Sequence, residues 1–229
     1  AFCGISLFYG TMILSIVLSV AAAAILIFGI ARSTTAGVLA GVILIFSKSF
    51  VVYSTSGLEN PLTFLLLALF VWTLLRHEPG LKQYRLLAIW AGLATLNRLD
   101  ILLFCLPVLL EGLVRLPSRK AYAGLAIGFA PFICWELFSL LYYGFLFPNT
   151  AFAKLYSGIP SADLALQGLR YLQDCLIRDP LTLVSIAAAL GMAIWFRQKQ
   201  LLLLAGGVTL YLAYIIHNGG CFMGGRFLT

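Results

Sequence analysis

The sequence predicts an all-α protein: a multi-spanning transmembrane helical bundle, with a re-entrant hairpin of short helices and an extracytoplasmic juxtamembrane helix. Of its 229 residues, 62% are hydrophobic and 10% are charged, whereas about a quarter of the residues in a soluble domain are charged. The mean hydropathy is +1.03. The eight acidic residues mostly avoid the apolar runs and lie at the breaks between them. Such a chain cannot cover itself with a water-compatible surface, so a bilayer is the expected environment.

The net charge of +7 is distributed in a way that indicates topology. Basic residues cluster in three short connections, at 76–85, 115–120 and 197–199. Short loops rich in Lys and Arg lie on the cytoplasmic side, and they also contact lipid headgroups. We therefore expect membrane lipids, and no nucleic acid, as partners. The five cysteines show no C-x-x-C spacing, so no metal site, disulfide framework or other cofactor is expected.

Six apolar runs are predicted to cross the membrane. Pro61 opens the third of them, which suits proline because the first helical turn needs no backbone donor there. The predicted crossings lie at about 8–30, 36–53, 62–75, 122–143, 181–196 and 201–216.

The segment 86–114 is predicted to form the re-entrant hairpin. It lies between two basic connections that both belong on the cytoplasmic side, and the polar run 97–100 interrupts it. Two complete crossings would need roughly 40 residues, more than this segment contains. A pair of half-length helices fits better, and irregular backbone at membrane depth is tolerated only where it lines protein or a wet cavity.

The polar connection 147–179 is predicted to lie on the extracytoplasmic surface and to contain an amphipathic helix with Ser161 as its N-cap. Its apolar and polar residues recur at steps of three or four, which places them on opposite helical faces. The apolar face holds Leu166, Leu169, Leu172 and Leu176, and the polar face holds Asp163, Gln167, Arg170 and Asp174.

This topology sends four polar segments to one non-cytoplasmic region, where they form the candidate site. Ionisable groups at membrane depth are costly and mark binding or catalytic sites by default. Guanidinium and ammonium groups suit a donor phosphate, while carboxylates, amides and imidazole can bind sugar hydroxyls. The predicted phosphate-binding residues are Arg98, Lys154 and Arg226, and the predicted sugar- or acceptor-binding residues are Glu59, Asn97, Asp100, Asn149 and His217.

Each of these segments also has a plainer interpretation. Glu59 would only belong to a turn and favour the N-terminus of the following helix, whereas a functional Glu59 would accept hydrogen bonds from sugar hydroxyls or pair with a buried cation. Arg98 and Asp100 would neutralise each other. The segment 147–154 would be an interfacial loop, and the glycines of 217–226 would form a flexible exit from the last helix.

Four motifs occur in order along residues 50–226: SGLENP at 56–61, NRLD at 97–100, YYGFLFPNTAFAK at 142–154 and NGGCFMGGRF at 218–227. Together they resemble those of polytopic GT-C-type glycosyltransferases, especially enzymes like the mycobacterial terminal arabinofuranosyltransferase of the cell wall. The sequence departs from that pattern at Cys221, where an acid is usual, and at Leu99, where a proline is usual.

The resemblance implies an inverting transfer of a sugar from a polyprenyl-phosphate donor to a cell-envelope glycan or glycolipid, at the extracytoplasmic face of the plasma membrane. It also implies a general base in a loop before Ala1, because we expect this chain to be an internal piece of a longer protein, lacking its first span and its C-terminal part. Two alternatives remain: a transporter of lipid-linked sugar or solute, which would also need midplane charges and broken helices, and a catalytically inactive homologue, indicated by Cys221.

Overall fold

The computed structural model describes residues 6–116, 118–146, 158–221 and 223–228, and over these residues it confirms the all-α fold, with no strand. Two short 3-10 turns, Leu99–Ile101 and Arg226–Leu228, accompany the α-helices. The α-helices are α1 (Leu7–Ala24, continued by a π turn over Ile25–Ile30), α2 (Thr34–Phe46), α3 (Lys48–Ser54), α4 (Asn60–Arg76), α5 (Leu81–Asn97), α6 (Leu102–Arg115), α7 (Arg119–Tyr143), α8 (Ser161–Arg178), α9 (Pro180–Phe196) and α10 (Lys199–His217).

Three helical segments of the described chain are long and apolar enough to cross a membrane: Leu7–Ile30, Arg119–Tyr143 and Lys199–His217. The number rises to five if each of two bent pairs, α2 with α3 and α8 with α9, is one span. Helix α4 is a shorter apolar helix. The predicted crossings therefore all correspond to helices, but the one predicted at 36–53 is broken, since α2 and α3 meet at an angle of 71°.

Residues at the break between α2 and α3 are hydrogen-bonded to residues at the break between α8 and α9, where the chain bends by 110°. The Asp179 carboxylate accepts hydrogen bonds from the Ser49 backbone N–H at 2.8 Å and from the Thr182 backbone N–H at 3.4 Å. The Ser47 and Thr182 hydroxyls are 2.7 Å apart and hydrogen-bonded. One buried carboxylate thus satisfies first-turn donors of both α3 and α9, donors that otherwise have no intrahelical acceptor.

The predicted hairpin is formed by α5 and α6, which have 17 and 14 residues. The predicted hairpin begins at residue 86, whereas α5 begins at Leu81. Helix α5 therefore includes Lys82 and Arg85, which the pattern of basic residues assigns to a connection. Long basic side chains near a helix end can reach polar surroundings while their stems stay against apolar ones. Basic residues therefore did not mark the helix boundary here.

Small residues bring α5 and α7 into close contact. A Cβ atom at Gly92 would meet the backbone of Gly128, one at Gly128 would meet Ala88, and one at Gly124 would meet the side chain of Arg85. Gly124 and Gly128 form the G-x-x-x-G spacing typical of closely packed membrane helices. Because later residues of α5 contact later residues of α7, the two helices run in the same direction.

The tip of the hairpin is recessed relative to its neighbours. Asn97, the last residue of α5, lies beside Glu136 of α7, seven residues before α7 ends. Arg98 is hydrogen-bonded to Tyr211 of α10, six residues before α10 ends. At 1.5 Å per helical residue, the tip lies roughly 10 Å below both helix ends. The tip therefore lies well below the level at which these two helices end.

Helix α8 follows the predicted amphipathic pattern, with one correction at its start. Pro160 occupies the N-cap position, and Ser161 is the first helical residue and not the cap. The face that packs on the protein is narrow and consists of Gly168, Tyr171 and Cys175. Three leucines of the predicted apolar face are largely exposed: Leu166, Leu169 and Leu176 have 48%, 52% and 48% of their surface accessible. Leu172 is half-buried and packs against the protein. That face is thus available to a lipid surface.

Candidate functional site

A buried ion pair occupies the tip of the hairpin. The Nη2 atom of Arg98 lies 2.7 Å from Oδ2 of Asp100, and the two side chains are only 6% and 11% exposed. Tyr211 completes a three-membered network, because its hydroxyl donates to Asp100 Oδ2 at 2.9 Å and accepts from Arg98 Nη2 at 2.9 Å. The break after α5 makes this possible, since Arg98 has an extended backbone and not a helical one.

A second ion pair lies next to the first. Arg226 Nη2 donates to Glu59 Oε1 at 2.8 Å. The Asn97 amide donates to the Glu59 backbone carbonyl at 3.0 Å, which ties the end of α5 to the start of α4. The Phe227 ring lies 5.5 Å from the guanidinium carbon of Arg98, a cation–π distance. The two ion pairs therefore belong to one cluster, which we call the tip cluster: Glu59, Asn97, Arg98, Asp100, Tyr211, Arg226 and Phe227.

The charges of the tip cluster balance, with two guanidinium groups and two carboxylates. One donor is nevertheless left over: Nη1 of Arg98 is buried and has no hydrogen-bond partner among the described residues. A buried donor without an acceptor costs about 1–3 kcal/mol, and more when it carries charge. A ligand oxygen in front of Nη1 would remove that penalty, so this atom is the best-placed group of the cluster to bind an anionic ligand.

A cavity of about 480 Å³ opens beside the tip, between α5 and α7. Asn97 and Leu99 form its boundary with the tip cluster, and residues of α7 and of the turn that follows α7 form the opposite wall. Ligand-binding pockets commonly have volumes of about 300–1,000 Å³, so this cavity is large enough for a small ligand.

The structure brings five of the predicted site residues together: Glu59, Asn97, Arg98, Asp100 and Arg226. His217 lies elsewhere, exposed at the last position of α10. Asn149 and Lys154 lie outside the described residues. Within the described part of the chain, no three His, Cys, Asp or Glu residues are close enough to hold a metal ion.

Tyr211, which belongs to the tip cluster, and Asn60, which lies next to it, were not predicted from the sequence. Tyr211 was one of many aromatic residues in apolar runs, and its hydroxyl at membrane depth was the signal that it needed a polar partner. Asn60 is fully buried, and its amide donates to the Arg226 backbone carbonyl at 3.2 Å. A fully buried amide is costly unless it is hydrogen-bonded, which makes Asn60 part of the support for Arg226.

Replacing Tyr211 with phenylalanine should weaken the Arg98–Asp100 pair without creating a cavity. The variant loses both hydrogen bonds of the hydroxyl, so we expect a destabilisation of about 1–3 kcal/mol. Thermal unfolding of the purified protein in detergent measures this effect. Tyr9→Phe is the control, because that residue is exposed near the start of α1. Equal melting temperatures for the two variants would contradict the prediction.

The Glu59–Arg226 pair should make local stability depend on pH. Burial alone would raise the pKa of the Glu59 carboxyl, but hydrogen bonds from Arg226 and the backbone, with the charges of Arg226 and Arg98, lower that pKa below its usual value. A lowered pKa contributes stability that is present above the unfolded-state pKa and is lost as pH falls through the folded-state pKa. We expect lower hydrogen-exchange protection in 223–228, measured as the observed exchange rate relative to the intrinsic rate at the same pH, on acidification below about pH 4.3, the ordinary glutamate value.

The control for this pH effect is Glu59→Gln, which cannot titrate. Its protection in 223–228 should already be low at neutral pH and should not fall further between neutral pH and that range. A variant that kept the pH dependence of the unaltered protein would assign the effect to another group.

One family model matches this chain. Its description is dolichyl-phosphate-mannose-protein mannosyltransferase, and it matches residues 7–137, more than half of the chain. The matched range begins at α1 and includes the hairpin, its tip and Glu136 of α7. Comparisons with curated proteins and with solved structures gave no significant match.

Proposed function

The chain belongs to the dolichyl-phosphate-mannose-protein mannosyltransferase family, and on that premise we propose that it transfers a sugar from a polyprenyl-phosphate donor to a glycan or glycolipid. The family makes it a membrane glycosyltransferase that uses lipid-linked sugars. The observation that carries the finer proposal is the unsatisfied Nη1 donor of Arg98 at the tip of the hairpin formed by α5 and α6.

The proposed reaction is a single displacement with inversion. An oxygen of the acceptor attacks the anomeric carbon, the bond from that carbon to the phosphate oxygen breaks, and the polyprenyl phosphate leaves with the electron pair. Negative charge grows on the phosphate as this bond breaks, so a positioned cation lowers the barrier. The acceptor hydroxyl loses its proton to a carboxylate base.

Within this proposal Arg98 binds the leaving phosphate through Nη1, while Asp100 and Tyr211 hold Nη2 and so fix the plane of the guanidinium. A guanidinium can bind a phosphate and these two protein partners at the same time because its donors are arranged in a rigid fork. Arg226 and Lys154 are proposed as further phosphate-binding cations. Because Glu59 pairs with Arg226, any phosphate contact by Arg226 would use its other donors.

The identities of the sugar and the acceptor are proposed separately from the reaction type. Mannose follows from the family's description, and arabinofuranose follows from the resemblance of the four motifs. We place the reaction on the extracytoplasmic face of the plasma membrane because the basic connections at 76–85 and 115–120 lie at the other ends of the hairpin helices.

The test is a transfer assay on the full-length protein in proteoliposomes. A panel of polyprenyl-phosphate donors carrying mannose, arabinofuranose or another single sugar is supplied, and mass spectrometry detects a new glycosidic bond in the acceptor. We expect one donor to be consumed and its anomeric configuration to be inverted in the product. Movement of the donor across the vesicle membrane with no new glycosidic bond would support the transporter alternative instead.

A further inference from the structure

The cavity between α5 and α7 has a lining that differs from the tip cluster in its chemistry. Its polar residues come from both helices, and aromatic residues surround them. The polar residues are Thr95, Asn97, Glu136 and Ser139, and the aromatic ones are Phe132, Trp135, Tyr143 and Phe145. Polar groups beside aromatic rings suit a ligand that has both hydroxyl groups and apolar ring faces.

The hydrogen-bonding capacity of the cavity wall is mainly that of an acceptor. The Thr95 hydroxyl already donates to the Ala91 carbonyl at 2.8 Å, and the Ser139 hydroxyl already donates to the Phe145 carbonyl at 2.8 Å. The oxygens of both hydroxyls can still accept. The oxygens of Thr95 and Ser139 are therefore complementary to a ligand rich in O–H donors.

Glu136 is the strongest acceptor in this wall. It lies within the long apolar helix α7, where a carboxylate is costly. Its Oε2 atom is buried and has no hydrogen-bond partner among the described residues. A buried carboxylate oxygen needs donors, and the hydroxyl groups of a ligand in the cavity would supply them.

We propose that this cavity is a sugar-binding subsite in which Glu136 accepts hydrogen bonds from the hydroxyls of a single sugar ring. The proposal rests on the proposed transfer function and adds the group that holds the sugar. Asn97 joins the cavity to the tip cluster, so a ring in the cavity lies next to the residues that bind the phosphate. The ring belongs either to the lipid-linked donor or to the end of the acceptor, and both present the same hydroxyl chemistry.

The experiment measures dissociation constants of the full-length protein for three probes. They are a polyprenyl phosphate that carries a sugar, the same polyprenyl phosphate without a sugar, and a free oligosaccharide acceptor. Glu136→Gln keeps the size of the side chain and removes its charge. Glu111→Gln is the matched control, since Glu111 pairs with Lys199 at 2.6 Å and does not line this cavity.

We expect Glu136→Gln to weaken binding of a sugar-bearing probe about tenfold, the effect of losing one charge-assisted hydrogen bond, and to leave the bare polyprenyl phosphate unchanged. A loss confined to the sugar-bearing lipid assigns the cavity to the donor, and a loss confined to the oligosaccharide assigns it to the acceptor. Glu136→Asp, which keeps the charge but reaches less far, should lose less, and it provides a second variant if Glu136→Gln does not fold.

An equal loss for all three probes, no loss for any of them, or the same loss in Glu111→Gln would overturn the subsite. Absence of binding of every sugar-bearing probe to the unaltered protein would also overturn it. Failure of the transfer function is distinguishable: the unaltered protein would then form no glycosidic bond from any donor, while sugar binding would still depend on Glu136.

Discussion

Replacing Arg98 with alanine is expected to lower the rate of sugar transfer at least about 100-fold, because loss of one preorganised donor to a developing oxyanion typically has an effect of about 10²–10³. The measurement is initial rates with the donor identified in the transfer assay. Arg98→Lys should retain part of the rate, since it keeps a cation but cannot serve Asp100, Tyr211 and a phosphate together. Arg178→Ala is the control, as that side chain is 67% exposed in its pair with Asp174.

A purely structural role for Arg98 makes a different prediction. Removing one partner of a buried ion pair destabilises a protein by about 3–5 kcal/mol, because the other charge stays buried without compensation. The double variant Arg98→Ala/Asp100→Ala removes both charges and should restore folding. Transfer that stays lost in the refolded double variant supports phosphate binding, and transfer that returns would show that Arg98 only neutralises Asp100.

Gly92→Ala is expected to destabilise the protein by about 3 kcal/mol, the upper end of the usual range for overpacking. The added Cβ would meet the carbonyl group of Gly128 and lie 3.1 Å from the Cα atom of Phe129. These are backbone atoms of α7, so no side-chain rotation can relieve the contact. Helices α5 and α7 would have to separate, which would displace the tip cluster as well.

Gly191→Ala is the matched control for Gly92→Ala, because it makes the same change inside helix α9 with no atom within 4 Å of the added Cβ. Alanine is the better helix former by about 1 kcal/mol, so this variant should be as stable as the unaltered protein or more stable. The two variants are compared by thermal unfolding followed by size-exclusion chromatography in detergent. Similar melting temperatures would show that α5 and α7 are not closely packed.

The positions of the helices could be predicted because hydropathy and breaking residues are local signals. The break at Ser47, within the crossing predicted at 36–53, was not predicted because its cause is not local. The acceptor that makes the break favourable is Asp179, 130 residues away from Ser49. No pattern around residue 47 contains that information, whereas the apolar composition on both sides of it indicates a continuous helix.

Part of the candidate site could be predicted because charged residues at breaks are also local signals. Charged residues at breaks between apolar runs identified Glu59, Arg98 and Arg226, which the structure places in one cluster. The partners that lie within helices were not identifiable, because the contacts of Tyr211 and Glu136 depend on how α7 and α10 pack against the tip. The cavity beside Glu136 is formed by residues of α5, of α7 and of the turn after α7, so it is visible only in three dimensions.

The carboxylate shared by the two helix breaks has a consequence for biosynthesis. The nascent chain emerges from the ribosome in order, so α3 enters the translocon well before Asp179 has been made. Until α9 follows, the Ser49 backbone N–H must find water or headgroup oxygens as acceptors. The elbow between α2 and α3 therefore completes its hydrogen bonds only after Asp179, 130 positions later in the sequence than Ser49, has been made.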